Sequence, residues 1–352
     1  MTIAELPQHI DKHILSKKPF VAWRMPHTNQ VQFLFQKDNI DYRFAKTAQS
    51  GFIASDFLQS HKYFIPEDQA DALFFPADHL VTKLSTQTSK KAHDLKADKE
   101  HYFSMLNKAI HLLKSNELQK VVLSHPVKIK SDKEAFQVFI KLLEFYPAAY
   151  VYLWYHPETG IWLGATPETL IDIENQELKT MALAGTQTAD AIDKVEWQAK
   201  EIQEQQYVVD AMQAALNRYT ESLSISERQT VQAGNLFHLK TNFKGKLQKH
   251  QFTNLLKDLH PTSAVCGIPR ETAKKFINQY ESYERSLYTG YLGYISVEND
   301  RLETKLQVNL RCMQKNSQGY TLFAGGGITA DSNPQQEWEE TLAKAQTMLK
   351  AL

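Results

Sequence analysis

Residues 150–183 read YVYLWYHPETGIWLGATPETLIDIENQELKTMAL. Four apolar, β-branched and aromatic runs stand in it, at 150–155, 161–165, 169–173 and 178–183. The first two flank HPETG and the last two flank ENQ, which is hairpin chemistry. No helical period separates one run from the next. The stretch therefore predicts an antiparallel meander and excludes a β-α-β alternation.

The surrounding sequence extends that reading. Phe103, Leu106, Ile110 and Leu113 recur at the three-and-four spacing of one helical face. KVVLSHPVKI, from Lys120, reads as a strand, 133–144 as a helix and 193–217 as a long helix. GYLGYIS and LETKLQVNLRCM flank the turn END, and GYTLFAG follows KNSQG. A last helix begins near Pro334. Asn333 is its N-cap, Gln336 completes a capping box, and Trp338, Leu342, Ala345 and Leu349 form its apolar stripe. The pattern predicts an α+β protein whose antiparallel sheets form a sandwich-like core flanked by helices. The polar run VTKLSTQTSKK, 81–91, reads as a loop. It divides an N-terminal section (1–90) packed on the core, with Phe52, Phe57, Phe74 and Phe75 in short strands and turns, from a main domain (91–352).

Composition narrows the function. The 352 residues carry 40 basic and 40 acidic side chains, so no strongly basic face for nucleic acid is expected. At 42% hydrophobic the chain is too apolar for disorder. Its two cysteines, Cys266 and Cys312, are no disulfide framework and point to a reducing compartment. The first eighteen residues lack an apolar signal core, and no run approaches the roughly 20 apolar residues of a membrane span. The expectation is a soluble, cytoplasmic protein.

Several residues stand out chemically. Glu201 and Glu204 are three apart on one predicted helix, and Glu337 and Glu340 are three apart on another. Each pair shares a helical face. Two such pairs face to face would make the oxygen-only set that Mg²⁺ prefers, whereas either pair alone suits a solvated surface. AGGGIT, 324–329, reads as a glycine-rich loop before the last helix, either a sharp turn or an anion cradle. It is neither a P-loop nor a dinucleotide motif. By strand alternation Arg311 shares a face with Lys305, Gln307 and Asn309, which is either a solvent face or a polar cavity wall with a carboxylate clamp. Lys120, opening an apolar strand, reads as an edge charge. Cys266 has no partner His and reads as an inert buried thiol.

Taken in order, KVVLS (120–124), GATPETL (164–170), LAGT (183–186), KEIQEQQYVVDAM (200–212), LHPTSAVCGIP (259–269), YERSLYTGYLGY (283–294), LRCM (310–313) and FAGGGITADSNPQQEWEETLAK (323–344) resemble the chorismate-utilising enzymes. This family comprises the anthranilate, aminodeoxychorismate, salicylate and isochorismate synthases. The resemblance covers roughly residues 100–352. It implies Mg²⁺ held by Glu204 and Glu340, with Glu201 and Glu337 acting through water. It also implies that Gly185 and Thr186 meet the ring carboxylate of chorismate. Arg311, Tyr288, Lys344 and the amides of Gly325 and Gly327 would hold the enolpyruvyl carboxylate. His260 is expected near the reacting centre or orienting its loop.

Within the family, Lys at position 120 resembles the general base of isochorismate and salicylate synthases; anthranilate synthases carry Gln there. Burial beside Mg²⁺ and Arg311 would lower its pKa. Glu168 resembles the general acid that protonates the departing C4 hydroxyl, which needs a raised pKa. Ala184 stands where some aminodeoxychorismate synthases have a nucleophilic Lys, and with Lys120 it argues against amination with an amidotransferase partner. Ala264 matches isochorismate synthases, where salicylate synthases tend to carry Thr. The segment departs from the family at Ser124 and His125, where Ala-Arg is common, and at IQEQQ, 202–206. The expected activity is Mg²⁺-dependent isomerisation of chorismate to isochorismate, which feeds menaquinone, siderophore and salicylate routes, the first favoured. The rivals are a salicylate synthase and a non-catalytic chorismate-binding subunit.

Overall fold

The structure is a computed structural model and describes residues 1–44, 49–84, 95–299 and 301–352. Among these, the strands form two antiparallel sheets of ten and nine. The first sheet places Lys120–Lys130, Gly319–Ile328, Cys312–Asn316, Gly160–Thr166 and Tyr150–His156 side by side. The second runs through Leu236–Leu247, Glu177–Gln187, Thr169–Glu174, Arg301–Val308 and Tyr291–Glu298.

The sheets face each other across an aromatic layer that includes Trp23, Phe52, Tyr152, Trp154, Trp162 and Phe323. Large rings fill a sheet-to-sheet gap of about 10 Å with few side chains. Helices Ala135–Phe145 and Pro334–Leu349 close the outer face of the first sheet. Helices Ala199–Leu216 and Phe252–Leu259 close the outer face of the second. The result is a four-layer α+β sandwich.

The stretch 150–183 is not one meander. Its first hairpin lies in the first sheet and its second hairpin in the second, and the chain changes sheets at Pro167–Glu168. LETKLQVNLRCM is likewise not one strand. Arg301–Val308 ends in the second sheet, and Cys312–Asn316 begins in the first. The two crossings run together: Val308 N donates to the Glu168 carbonyl at 3.0 Å, Ala165 N to the Arg311 carbonyl at 3.0 Å, and Thr166 Oγ1 to the Val308 carbonyl at 2.7 Å. Arg311 turns this corner at φ 46°, a left-handed backbone that costs a non-glycine residue about 1–2 kcal/mol. Simple alternation fails there because a bend, not a pleat, sets the side-chain direction.

The N-terminal section contributes strands to both sheets. Phe20–Arg24 pairs with Tyr150–His156 in the first sheet, and Gly51–Ser55 pairs with Tyr291–Glu298 in the second. Residues 81–84 close a helix, Ala77–Leu84, and 85–91 of the expected loop lie outside the described residues. The helix expected at 193–217 begins at Ala199, where Gln198 and Glu201 form a reciprocal cap.

Candidate active site

The glycine run is not a loop. Gly325–Gly327 lie inside strand Gly319–Ile328, paired with Ser124, Leu123 and Val122. On its other edge this strand meets Cys312–Asn316 only as far as Leu322, because the crossing at 309–311 takes the neighbouring chain away. The last six residues thus keep one bare edge. Ser124 N donates to Glu281 and Val122 N to the Cys266 carbonyl, both away from the glycines. The pairs 325–124 and 327–122 are therefore not hydrogen-bonded, and the amides of Gly325 and Gly327 face the bare edge. The carbonyl of Gly325 does too, accepting from Lys344 Nζ at 2.9 Å.

A cavity with about 670 Å³ of empty space fills this gap between the sheets. Glu168, Gly185, Thr186, Glu204, Ala264, Tyr288, Arg311, Gly325, Gly327 and Lys344 all line it. Lys120 is fully buried behind the wall, its Nζ 3.1 Å from Glu204 Oε1. It is no edge charge, since Ile268 pairs with it on the outside. A Cβ on Gly327 would overlap Glu204 Oε1 and come within 2.9 Å of Lys120 Cε.

Burial and charge set the protonation states. Burial lifts the Glu168 carboxyl to about 8, against the opposing pull of Lys120, so it holds its proton at neutral pH. Burial lowers Arg311 to about 10, leaving it charged. Its Nη1 donates to Thr347 Oγ1 at 3.0 Å and its Nη2 lies 3.2 Å from His238 Nε2. His238 is held down to about 3 by burial and by Arg311, so it is neutral. Since Nε2 faces an obligate donor, Nδ1 carries the hydrogen and donates to the Gly185 carbonyl at 2.8 Å. His238 thus ties the LAGT segment to the guanidinium. Gly185 has φ 70°, and a Cβ there would press Glu201 Cβ at 3.3 Å.

Three carboxylates crowd the glycine run, each with a lysine. Glu204 faces Lys120, Glu340 accepts from Lys344 at 2.6 Å, and Glu337 accepts from Lys200. Glu337 is pushed up to about 7 by burial and Glu340, with Lys200 opposing. Its Oε2 is buried and makes no hydrogen bond. A Cβ on Gly326 would sit 3.1 Å from that oxygen and 3.5 Å from Glu340 Oε1.

Among the described residues no three His, Cys, Asp or Glu side chains already surround one point. The site still fits the Mg²⁺ that the resemblance implies. Mg²⁺ takes only one or two carboxylates directly and keeps its waters, and these oxygens press on residues without side chains.

Two expected residues stand elsewhere. Glu201 Oε2 accepts from Gln198 N at 3.0 Å, so that oxygen caps its own helix. His260 is absent from the cavity wall; its ring is buried edge-on to Tyr291 at 4.9 Å, and burial holds it down to about 3. Cys266 is buried and pushed up to about 12, an inert thiol. Ser124 and His125 serve the frame: Ser124 Oγ donates to Glu281 at 2.8 Å, and His125 stacks on Trp338 at 4.7 Å. Lys200 and His238 escaped the sequence reading. Lys200 stands four residues before Glu204, a same-face spacing that points to it; His238 carries no such signal.

The chain belongs to the chorismate binding enzyme family, whose model matches residues 61–352. It is 29% identical to the isochorismate synthase MenF of Haemophilus influenzae over 72% of this chain and 60% of that one. It is 31% identical to the vibriobactin-specific isochorismate synthase of Vibrio cholerae, over 72% of this chain and 66% of the relative. The chain thus spans less than two thirds of these relatives' lengths. The fold is that of MenF, the menaquinone-specific isochorismate synthase from Escherichia coli, with a TM-score of 0.78 at 21% identity over 96% of this chain and 89% of that one. No helix among the described residues is long and apolar enough to cross a membrane.

Proposed function

We propose that the protein is an isochorismate synthase: water adds at ring C2 of chorismate, the ring double bonds shift, and the C4 hydroxyl leaves. One observation carries this reading. A carboxyl that keeps its proton at neutral pH lines the cavity, and a fully buried lysine stands behind the wall, close enough for its charge to pull on that carboxyl. Isomerisation by double C–O exchange needs one base and one acid at the same time.

In this reading Lys120 takes a proton from the attacking water, and Glu168 gives one to the departing oxygen, so protons balance. Arg311, pinned by Thr347 and His238, clamps the enolpyruvyl carboxylate with the bare amides of Gly325 and Gly327 and the Tyr288 hydroxyl. Gly185 and Thr186 lie against the ring carboxylate. Mg²⁺, held by Glu204 and Glu340 with Glu337 behind them, would supply the positive charge that anchors that carboxylate.

Incubating the protein with chorismate and Mg²⁺ and separating products by chromatography tests the reading. Isochorismate is the expected product, lost on chelation and restored by Mg²⁺. Salicylate with pyruvate would move the chain to the salicylate synthases, and binding without turnover would make it a chorismate-binding subunit.

A further inference from the structure

A second chamber, with about 1270 Å³ of empty space, lies against the catalytic cavity and shares Pro167, Leu183 and Arg311 with it. Arg311 stands on the partition. Its Nη1 bonds Thr347, which lines the outer chamber, and its Nη2 meets His238, which lines the inner one. Among the described residues no Asp or Glu lines the outer chamber; its ionisable wall residues include His27, Lys240 and Arg311.

Lys240 is the feature that the catalytic reading leaves unused. It is half-buried, and it pairs across the sheet with Leu183 of the partition. Among the described residues it makes no ion pair, and burial alone lowers its pKa. A half-buried ammonium without a counter-ion is costly unless an anion visits it. An acid-free chamber with low-dielectric walls focuses positive potential at its inner end, where Arg311 waits.

We propose that the outer chamber is the vestibule through which a dicarboxylate substrate reaches the catalytic cavity, with Lys240 as its steering cation. This rests on the isochorismate synthase reading only for the identity of the dianion. The ligand meets Lys240 first, exchanges that contact for Arg311, and passes the partition at Pro167 and Leu183. Lys240 is a positioning residue and touches no reacting atom.

The test measures the association rate of chorismate with the full chain by stopped-flow fluorescence. The reporter is Trp162, stacked at 5.2 Å on Phe323 of the cavity wall. Lys240→Glu should slow association about tenfold at roughly 20 mM ionic strength, the difference shrinking to about twofold or less at roughly 0.5 M. Lys240→Arg should keep the wild-type rate. Ala148→Trp, which fills the vestibule from a wall the inner cavity does not share, should slow association at every salt concentration. Wild-type rates in both Lys240→Glu and Ala148→Trp would overturn the proposal, as would a salt-independent loss in Lys240→Glu. Failure of the wild-type protein to bind chorismate would instead count against the functional reading, and the same series with another dicarboxylate would then decide the vestibule.

Discussion

Replacing Glu168 with Gln should make the protein more stable and inactive, and the gain should grow with pH. The carboxyl sits near 8 in the folded chain against an ordinary 4.5. Between these values the unfolded chain gives up the proton first, so wild-type stability falls as pH rises from 4.5 to 8. At pH 7 the folded state holds a proton across about 2.5 pH units, at about 1.4 kcal/mol each, a cost of about 3 kcal/mol. Gln keeps the shape, carries no charge and escapes that cost. The variant should gain about 1 kcal/mol at pH 5, about 3 at pH 7 and about 4 at pH 8. Urea unfolding followed by tryptophan fluorescence across that range reads the difference. Turnover should fall about 10³-fold with the proton donor gone. A stability difference that stays flat from pH 5 to 8 would mean that Glu168 is ionised at neutrality, and the acid assignment would fail with it.

Lys120→Gln should lower turnover by about 10³-fold or more with an unchanged circular dichroism spectrum, since the amide keeps the bulk but takes no proton. Gly327→Ala should cut kcat/KM by at least about 100-fold, because the methyl group needs the space of Glu204 Oε1; steady-state kinetics beside a thermal melt separates this from unfolding. Glu281→Ala should cost about 3–5 kcal/mol in urea unfolding. It strands the buried Arg285 guanidinium, which also bonds the Val122 and Val265 carbonyls beneath the cavity.

Much of the site was legible because its motifs are local. GATPETL, LAGT, YERSLYTGYLGY and the glycine run each place a residue in the wall, and all of these motifs meet there. Glu201 stands three residues after Gln198 as well as three before Glu204, so it can cap its own helix or share a face with Glu204, and the chain's approach to the helix decides which its Oε2 does. His260 stayed open between the reacting centre and its own loop, because sequence does not fix which way a ring turns; the structure buries the ring against Tyr291. Lys200 and His238 act through partners 137 and 73 residues away.

Strand-following-strand order, turn chemistry and helix caps are short-range properties, and the sequence alone was enough to determine an antiparallel α+β sandwich. What only the tertiary structure decided is the paired crossing at 165–168 and 308–311, where two neighbouring strands leave one sheet for the other. That bend bares one edge of the glycine strand, aims Arg311 inward and opens the cavity. Its cause is the registry of strands more than 130 residues apart, which no window of sequence contains.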